Sequence, residues 1–254
     1  MSLPRRWIER VSRSVILKRR LGSEFGRAPL WASPGASLSF WRPRLTSDLF
    51  AFATEFVQPG NVVWDIGANV GLLSVAAAQR AGASGQVVAM EADLWLATLL
   101  QRSAAAQSAH AAPIRVIAAA MYRELGVAQF HIAQRSRATN HLASAAGGSQ
   151  TGGTRQTVDV VTLTLDWLLD HCDPPHVLKI DVEGAEADVL RGARRVLAEA
   201  RPVLLCEVYD FNAAYVTQTL HEHNYQLYNW DTTPRTPVST ACYNTLALPA
   251  ERRS

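Results

Sequence analysis

The chain has 254 residues, 48% of them apolar and 19% charged, with a formal net charge of +3. That length supports one large domain with a full core, and the balance excludes a chain that is disordered throughout. No run approaches the roughly eighteen consecutive apolar residues of a membrane-spanning helix, and the start is too charged for a signal peptide, so the expected location is cytoplasmic.

The charge is unevenly placed. Residues 1–27 carry an excess of six positive charges and the remainder a net −3. Within that segment Trp7, Ile8, Val11, Val15 and Ile16 recur at near-helical spacing, which predicts a basic N-terminal helix. Three readings stay open: a helix docked on its own domain, contact with an anionic membrane surface, or contact with a partner such as a second copy or a nucleic acid. Residues 21–43, rich in Gly, Pro, Ser and Trp, read as a loop-dominated lead-in. The predicted division is thus an appendage over 1–45 and one α/β domain over 46–254.

A helix is expected from Thr46 to Val57, stopped by Pro59-Gly60. The pattern then becomes regular, with strands at Val62–Ile66, Gln86–Glu91 and Ile114–Ala119 alternating with helices at Gly71–Ala81 and Leu94–Gln107. Val127–Ala133 reads as an extra strand or hairpin arm, and residues 135–157 as a Ser/Gly/Ala/Thr-rich loop. After it come strand "VDVVTL", a short helix from Leu165 to His171, strand "HVLKID", a helix from Ala185 to Leu197, strand "PVLLCEV", a helix near Asn212 to His223, and strands near Tyr225–Tyr228 and Tyr243–Leu248. Alternation of this kind implies a mostly parallel sheet with helices on both faces. Cys172, Cys206 and Cys242 are far apart and odd in number, so neither a disulfide framework nor a zinc site is expected.

"VVWDIGANVG", Val62 to Gly71, is where the chemistry begins. The first strand-to-helix turn of such a sheet is the usual nucleotide contact. Gly67 and Gly71 let backbone approach a ligand, and Asn69 suits a left-handed position because its short amide bonds locally. The pattern is not GxGxxG, and no GxxxxGK[ST] occurs, so neither a pyrophosphate nor a triphosphate cradle is indicated. Asp65, at the strand end, suits a cationic group and repels phosphate. Glu91 closes the second strand about 20 residues after the turn, where an acid takes ribose hydroxyls. A ribose, an adenine and a cationic amino-acid tail without phosphate describe S-adenosylmethionine.

"DIGANVG" with "LKIDVEGAEADVLRGA" some 110 residues later resembles the FkbM-type methyltransferases, over about Pro59 to Val208. The resemblance implies a Rossmann-like class I methyltransferase fold with a seven-stranded sheet. It also implies an O-methyltransferase acting on a hydroxyl of a sugar, glycolipid or secondary metabolite. By the same resemblance Asp65, Gly67, Ala68, Asn69 and Gly71 hold the methionine end of the cofactor, Glu91 and Ala92 the ribose side, and Ala119, Ala120 and Met121 the adenine. Where the family often has proline after the ribose acid, this chain has "ADLW".

Methyl transfer to a hydroxyl requires alignment, a desolvated donor and removal of a proton. In "HVLKIDVEG", Lys179 and Asp181 share a strand face, with Asp181 at the carboxyl end beside the expected methyl group. Candidate catalytic residues are Asp181, Glu183, Glu207, Lys179 and His141, one of the acids or the histidine serving as general base. Alternatively Asp181 and Glu207, with Glu183 or Asp210, hold a divalent cation such as magnesium. Lys179 is equally well explained by a buried ion pair, and Glu186 by a cap. "DPPH" at 173–176 reads as a turn opening the fourth strand. The acceptor is expected to be a small molecule or glycan. The basic surface needed for a nucleic-acid methyltransferase is missing outside residues 1–27, and the presence of Asp65 and Gly67 speaks against a noncatalytic relative.

Overall fold

The computed structural model describes residues 12, 14–42, 44, 45, 47–145 and 152–252. In chain order the first elements are β1 (Leu17–Arg20), β2 (Pro29–Ala32), α1 (Asp48–Phe56), β3 (Val62–Ile66), α2 (Leu72–Ala81), β4 (Gln86–Met90) and α3 (Leu94–Ala105). Next are β5 (Ile114–Ile117), β6 (Ala120–Met121), β7 (Gly126–Ala133), β8 (His141–Leu142), β9 (Thr154–Leu163) and α4 (Leu165–Leu169). The chain continues through β10 (Val177–Ile180), α5 (Glu186–Arg191), β11 (Val203–Glu207), α6 (Asp210–Glu222), β12 (Tyr225–Asn229), β13 (Thr236–Pro237) and β14 (Asn244–Pro249).

The central sheet runs β13-β12-β14-β11-β10-β3-β4-β5. The five strands from β11 to β5 are parallel, and β14 enters antiparallel between β11 and β12. This is the class I methyltransferase arrangement, with the two-residue β13 added at one edge. Strand order reverses between β3 and β10, so a crevice opens at their carboxyl ends. Every residue of β3 is buried, as expected for a parallel strand covered on both faces.

The period of two splits the core. Val63, Val87, Val177 and Leu205 face one layer with α1 and α2, while Trp64, Ile66, Met90, Leu178 and Ile180 face the layer of α4, α5 and α6. Leu21, Phe25, Leu30 and Phe40 of the lead-in belong to the first layer. Ser47 caps α1 by accepting from Leu49 N at 3.2 Å, and Thr164 caps α4 by accepting from Trp167 N at 3.0 Å.

Three expectations are corrected. The basic segment does not stay helical to its end: Ser12 is helical, but Val15 and Ile16 lead out of that turn into β1, which pairs antiparallel with β2. Trp7, Ile8 and Val11 lie outside the described residues. The helix expected from Ala185 to Leu197 breaks at Gly192, where a Cβ would lie 2.6 Å from Tyr122 O, and resumes as a π-turn at Val196–Ala200. Strand "VDVVTL" leaves the central sheet and joins a separate one ordered β6-β9-β7-β8. Among the described residues no helix is long and apolar enough to cross a membrane.

Candidate active site

The turn after β3 is built by close approach. Gly67 has φ +69°, and a Cβ there would stand 1.8 Å from the carbonyl oxygen of Asp181. Asn69 adopts φ +54° and its Oδ1 accepts from Val70 N at 2.8 Å, the local bond that eases a left-handed residue. Gly71, φ +89°, starts α2 where a Cβ would meet Leu100 Cδ1 at 2.2 Å. Ala68 N donates to Met90 O at 2.9 Å, which ties the turn to the end of β4.

Beside this turn lies a cavity of about 250 Å³. Gly67, Asn69 and Glu91 line it together with the apolar Ala92, Ala119, Ala120, Met121, Phe130 and Leu142 and the acids Asp181, Glu183 and Glu207. Glu91 is buried, and its two oxygens accept from Asn69 N at 2.7 Å and Asp93 N at 2.8 Å. Burial, only partly offset by those two bonds, pushes its pKa up to about 7. A carboxylate has lone pairs to spare after two bonds, so it can still take a pair of hydroxyls.

A buried latch walls the same cavity. Asp93 caps α3 through Oδ1, which accepts from Trp95 N at 2.9 Å. Its Oδ2 accepts from Asn140 Nδ2 at 2.8 Å and from the Arg137 guanidinium, which also stacks over Trp95. Arg137 N and Ala138 N donate to Gly35 O and Ala36 O, so the lead-in braces this wall. The sequence reading missed all of these. An aspartate directly before the "LWLATLL" helix was the available signal, since it is a helix cap.

The end of β10 concentrates charge. Lys179, buried, lies 3.2 Å from Asp181 Oδ2 and 3.5 Å from Asp65 Oδ1, and donates to Gly67 O at 2.8 Å and Ile66 O at 3.3 Å. Burial alone would lower its pKa, but Asp181 and then Asp65 outweigh it and hold the ammonium above the ordinary lysine value. Glu183, at φ +53°, is pushed up to about 8 by burial and the Asp181 charge, against a bond from Tyr209 OH at 2.6 Å. Glu207 is pushed up to about 7 by burial and Asp181, against a bond from Tyr243 OH. Asp181, Glu183 and Glu207 offer oxygens that lie within 4.8 Å of one another.

Two further cavities adjoin this rim. One of about 170 Å³ is bounded by Ser37, Phe40, Asp65, Asn69, Lys179 and Asp181, and one of about 240 Å³ by Asp48, Leu205, Glu207, Trp230 and Asn244 with Lys179 and Asp181. Asp181 lines all three. Among the described residues Asp65 Oδ1 accepts no hydrogen bond, although Lys179 lies beside it. A buried carboxylate oxygen that accepts no hydrogen bond, on the wall of a small cavity, fits a cationic amino group, and the largely apolar cavity that Glu91 also lines fits a nucleoside. On these two observations the residues present suit S-adenosylmethionine.

The structure brings Asp65, Gly67, Ala68, Asn69, Glu91, Ala92, Ala120, Met121, Lys179, Asp181, Glu183 and Glu207 to the cavities. Gly71 shapes the helix start and lines none of them. His141 is not brought in: it is buried on β8, edge-on to His131, with Nδ1 3.2 Å from Thr139 O, while its neighbours Asn140 and Leu142 face the cavity. Asp210 is exposed at the start of α6, outside the acid group. Glu186 is structural, accepting from Gly184 N and Asn212 Nδ2, each at 2.7 Å. His176 accepts from Val62 N at 3.1 Å and so starts β10 as the turn reading expects.

Residues 65–227 match the family described as the methyltransferase FkbM domain. No curated protein matches the chain significantly. Among solved structures, the FkbM methyltransferase of Methylobacillus flagellatus KT is 17% identical with a TM-score of 0.45, over 78% of this chain and 50% of its own. This chain therefore spans half the length of that protein. A SAM-dependent O-methyltransferase of Thermotoga maritima is 15% identical at TM-score 0.44, over 85% of this chain and 71% of its own. The magnesium protoporphyrin IX methyltransferase of Synechocystis PCC 6803, solved with bound SAM, is 14% identical at 0.41, over 84% and 76%. None of these scores reaches 0.5, so family membership rests on the sequence match, which covers more than half of the chain and spans both acid-bearing turns. The chain belongs to the FkbM family of S-adenosylmethionine-dependent methyltransferases.

Proposed function

We propose that this enzyme is an O-methyltransferase acting on a hydroxyl of a sugar, glycolipid or secondary metabolite. The supporting observation is the convergence of Asp181, Glu183 and Glu207 within 4.8 Å where the cofactor cavity meets the cavity lined by Trp230 and Asn244. S-adenosylmethionine supplies an activated methyl group from its sulfonium. The chain's task is to align the acceptor, exclude water and take the hydroxyl proton.

Glu207 is the base in this reading. It lines both cavities, and burial poises it at about 7, near working pH. The Glu207 carboxylate would take the proton of the acceptor hydroxyl as its oxygen displaced the methyl group from sulfur, the methyl carbon–sulfur bond breaking to leave the neutral thioether. Lys179 is a positioning residue that holds the turn carbonyls and pairs with Asp65 and Asp181. Trp230 is stacked under Arg235 at 4.4 Å yet still borders the acceptor side.

A second reading rests on the same 4.8 Å grouping: Asp181, Glu183 and Glu207 hold a divalent ion such as magnesium that acidifies the hydroxyl. The test is transfer of labelled methyl to a panel of sugars and glycolipids, with amines as controls, with and without chelator. Hydroxyl methylation insensitive to chelator, with Glu207→Gln lowering kcat but not cofactor affinity, supports the base reading. Loss on chelation and recovery with magnesium supports the metal reading. Methylation of amines alone overturns both.

A further inference from the structure

We propose that the β1 strand and the 3-10 turn Leu38–Trp41 form a docking surface for an anionic phospholipid bilayer, next to the mouth of the active site.

Ile16, Leu38 and Trp41 are 40%, 37% and 48% exposed, three of the large apolar side chains left in solvent. The elements that carry them are in contact. Trp41 Nε1 donates to Ser12 Oγ at 3.1 Å, and Val15 N donates to Ser12 O, so the turn leading to Ile16 touches Trp41. Arg19 reaches from β1 to Phe40 O at 2.9 Å and to Arg42 O, which fastens the 3-10 turn against the strand. By strand alternation Ile16, Lys18 and Arg20 face outward together, all exposed.

Charge selects the partner. Among the described residues up to Ser47, Lys18, Arg19, Arg20, Arg27, Arg42 and Arg44 stand against Glu24 as the single acid. Apolar and aromatic side chains set among cations match an interface of negative headgroups over acyl chains. A soluble acidic partner would use the charges and leave Ile16, Leu38 and Trp41 without a function.

Position supplies the consequence. Ser37, Ser39 and Phe40, of the same turn, wall the cavity that contains Asp65, Lys179 and Asp181. A bilayer seated on Leu38 and Trp41 lies beside the catalytic rim, so a hydroxyl carried on a lipid is delivered there without leaving the surface. Binding is independent of the acceptor chemistry; only delivery rests on the O-methyltransferase reading.

The test is co-sedimentation of the full chain with vesicles of phosphatidylcholine alone and of phosphatidylcholine mixed with phosphatidylglycerol, at low and high salt. The expected result is binding to the anionic vesicles only, weakened by salt, with a blue shift of tryptophan emission. Arg42→Glu combined with Arg44→Glu should weaken it by at least about tenfold, and Trp41→Ser should weaken it and reduce the blue shift. Thermal melting checks both variants, and the arginine pair carries the test if Trp41→Ser does not fold. No binding to anionic vesicles, equal binding to neutral ones, or binding that neither variant alters overturns the proposal. So does binding to single-stranded RNA in place of vesicles. Failure of vesicle binding leaves methyl transfer to soluble hydroxyls untouched, so the two readings fail separately.

Discussion

Replacing Glu91 with glutamine should uncouple cofactor binding from pH. In the free protein the carboxyl is buried, accepts from Asn69 N and Asp93 N, and has its pKa raised from 4.5 to about 7. That shift corresponds to about 3 kcal/mol of penalty on the charged form. Ribose hydroxyls donate to the ionised form and repay that penalty, so wild-type affinity should weaken as pH falls through about 7. The same raised pKa makes ionised Glu91 a cost to folding that is absent below pH 4.5 and grows until about pH 7. Glutamine keeps one acceptor oxygen and turns an amide toward a backbone N–H. Losing charge-assisted bonds to the ribose costs on the order of 3 kcal/mol, or about 100-fold in Kd. Calorimetric titration with S-adenosylmethionine and its demethylated product, from pH 5.5 to 8.5, measures both effects. A glutamine variant that binds within threefold of wild type, or a wild-type affinity flat across pH 7, would falsify the ribose assignment.

Three other substitutions test the frame around that site. Gly67→Ala forces a Cβ to 1.8 Å from Asp181 O at φ +69°, so a marked fall in melting temperature is expected; an unchanged melt would mean that the turn is not packed as described. Lys179→Met leaves Asp65 buried without its cation and should cost about 3–5 kcal/mol in urea unfolding; adding Asp65→Asn should recover part of the loss, and no recovery would refute the pairing. Tyr243→Phe removes a bond that favours ionised Glu207, so its pKa rises above about 7. The base works deprotonated, so the acid limb of kcat/KM should move to higher pH, and a limb that stays put would remove Glu207 from the base role.

The β3 turn could be read from sequence because its causes are local. Asp65, Gly67, Asn69 and Gly71 lie within seven residues, and left-handed backbone conformations restrict residue choice strongly. Lys179 and Asp181 were equally visible through strand alternation. Toward the end of the N-terminal segment Val15 and Ile16 still fit the helical period, whereas Leu17–Arg20 pair with Pro29–Ala32, a contact set by a distant segment. His141 looked catalytic by chemistry alone, but its direction is set by pairing with His131 across the β7–β8 ladder.

What the sequence determined by itself was therefore the left-handed turn after β3, the acid that follows β4 and the alternation of strand and helix, because backbone stereochemistry and the period of two act over a few residues. The rest depended on tertiary contacts between distant segments. Asp93 reaches Arg137 and Asn140 across more than forty residues, Lys179 finds Asp65 across the β3–β10 pair, and Tyr209 and Tyr243 meet Glu183 and Glu207 from separate elements. The raised pKa values at this rim follow from that burial and from the carboxylates gathered around it, which no short window of sequence contains.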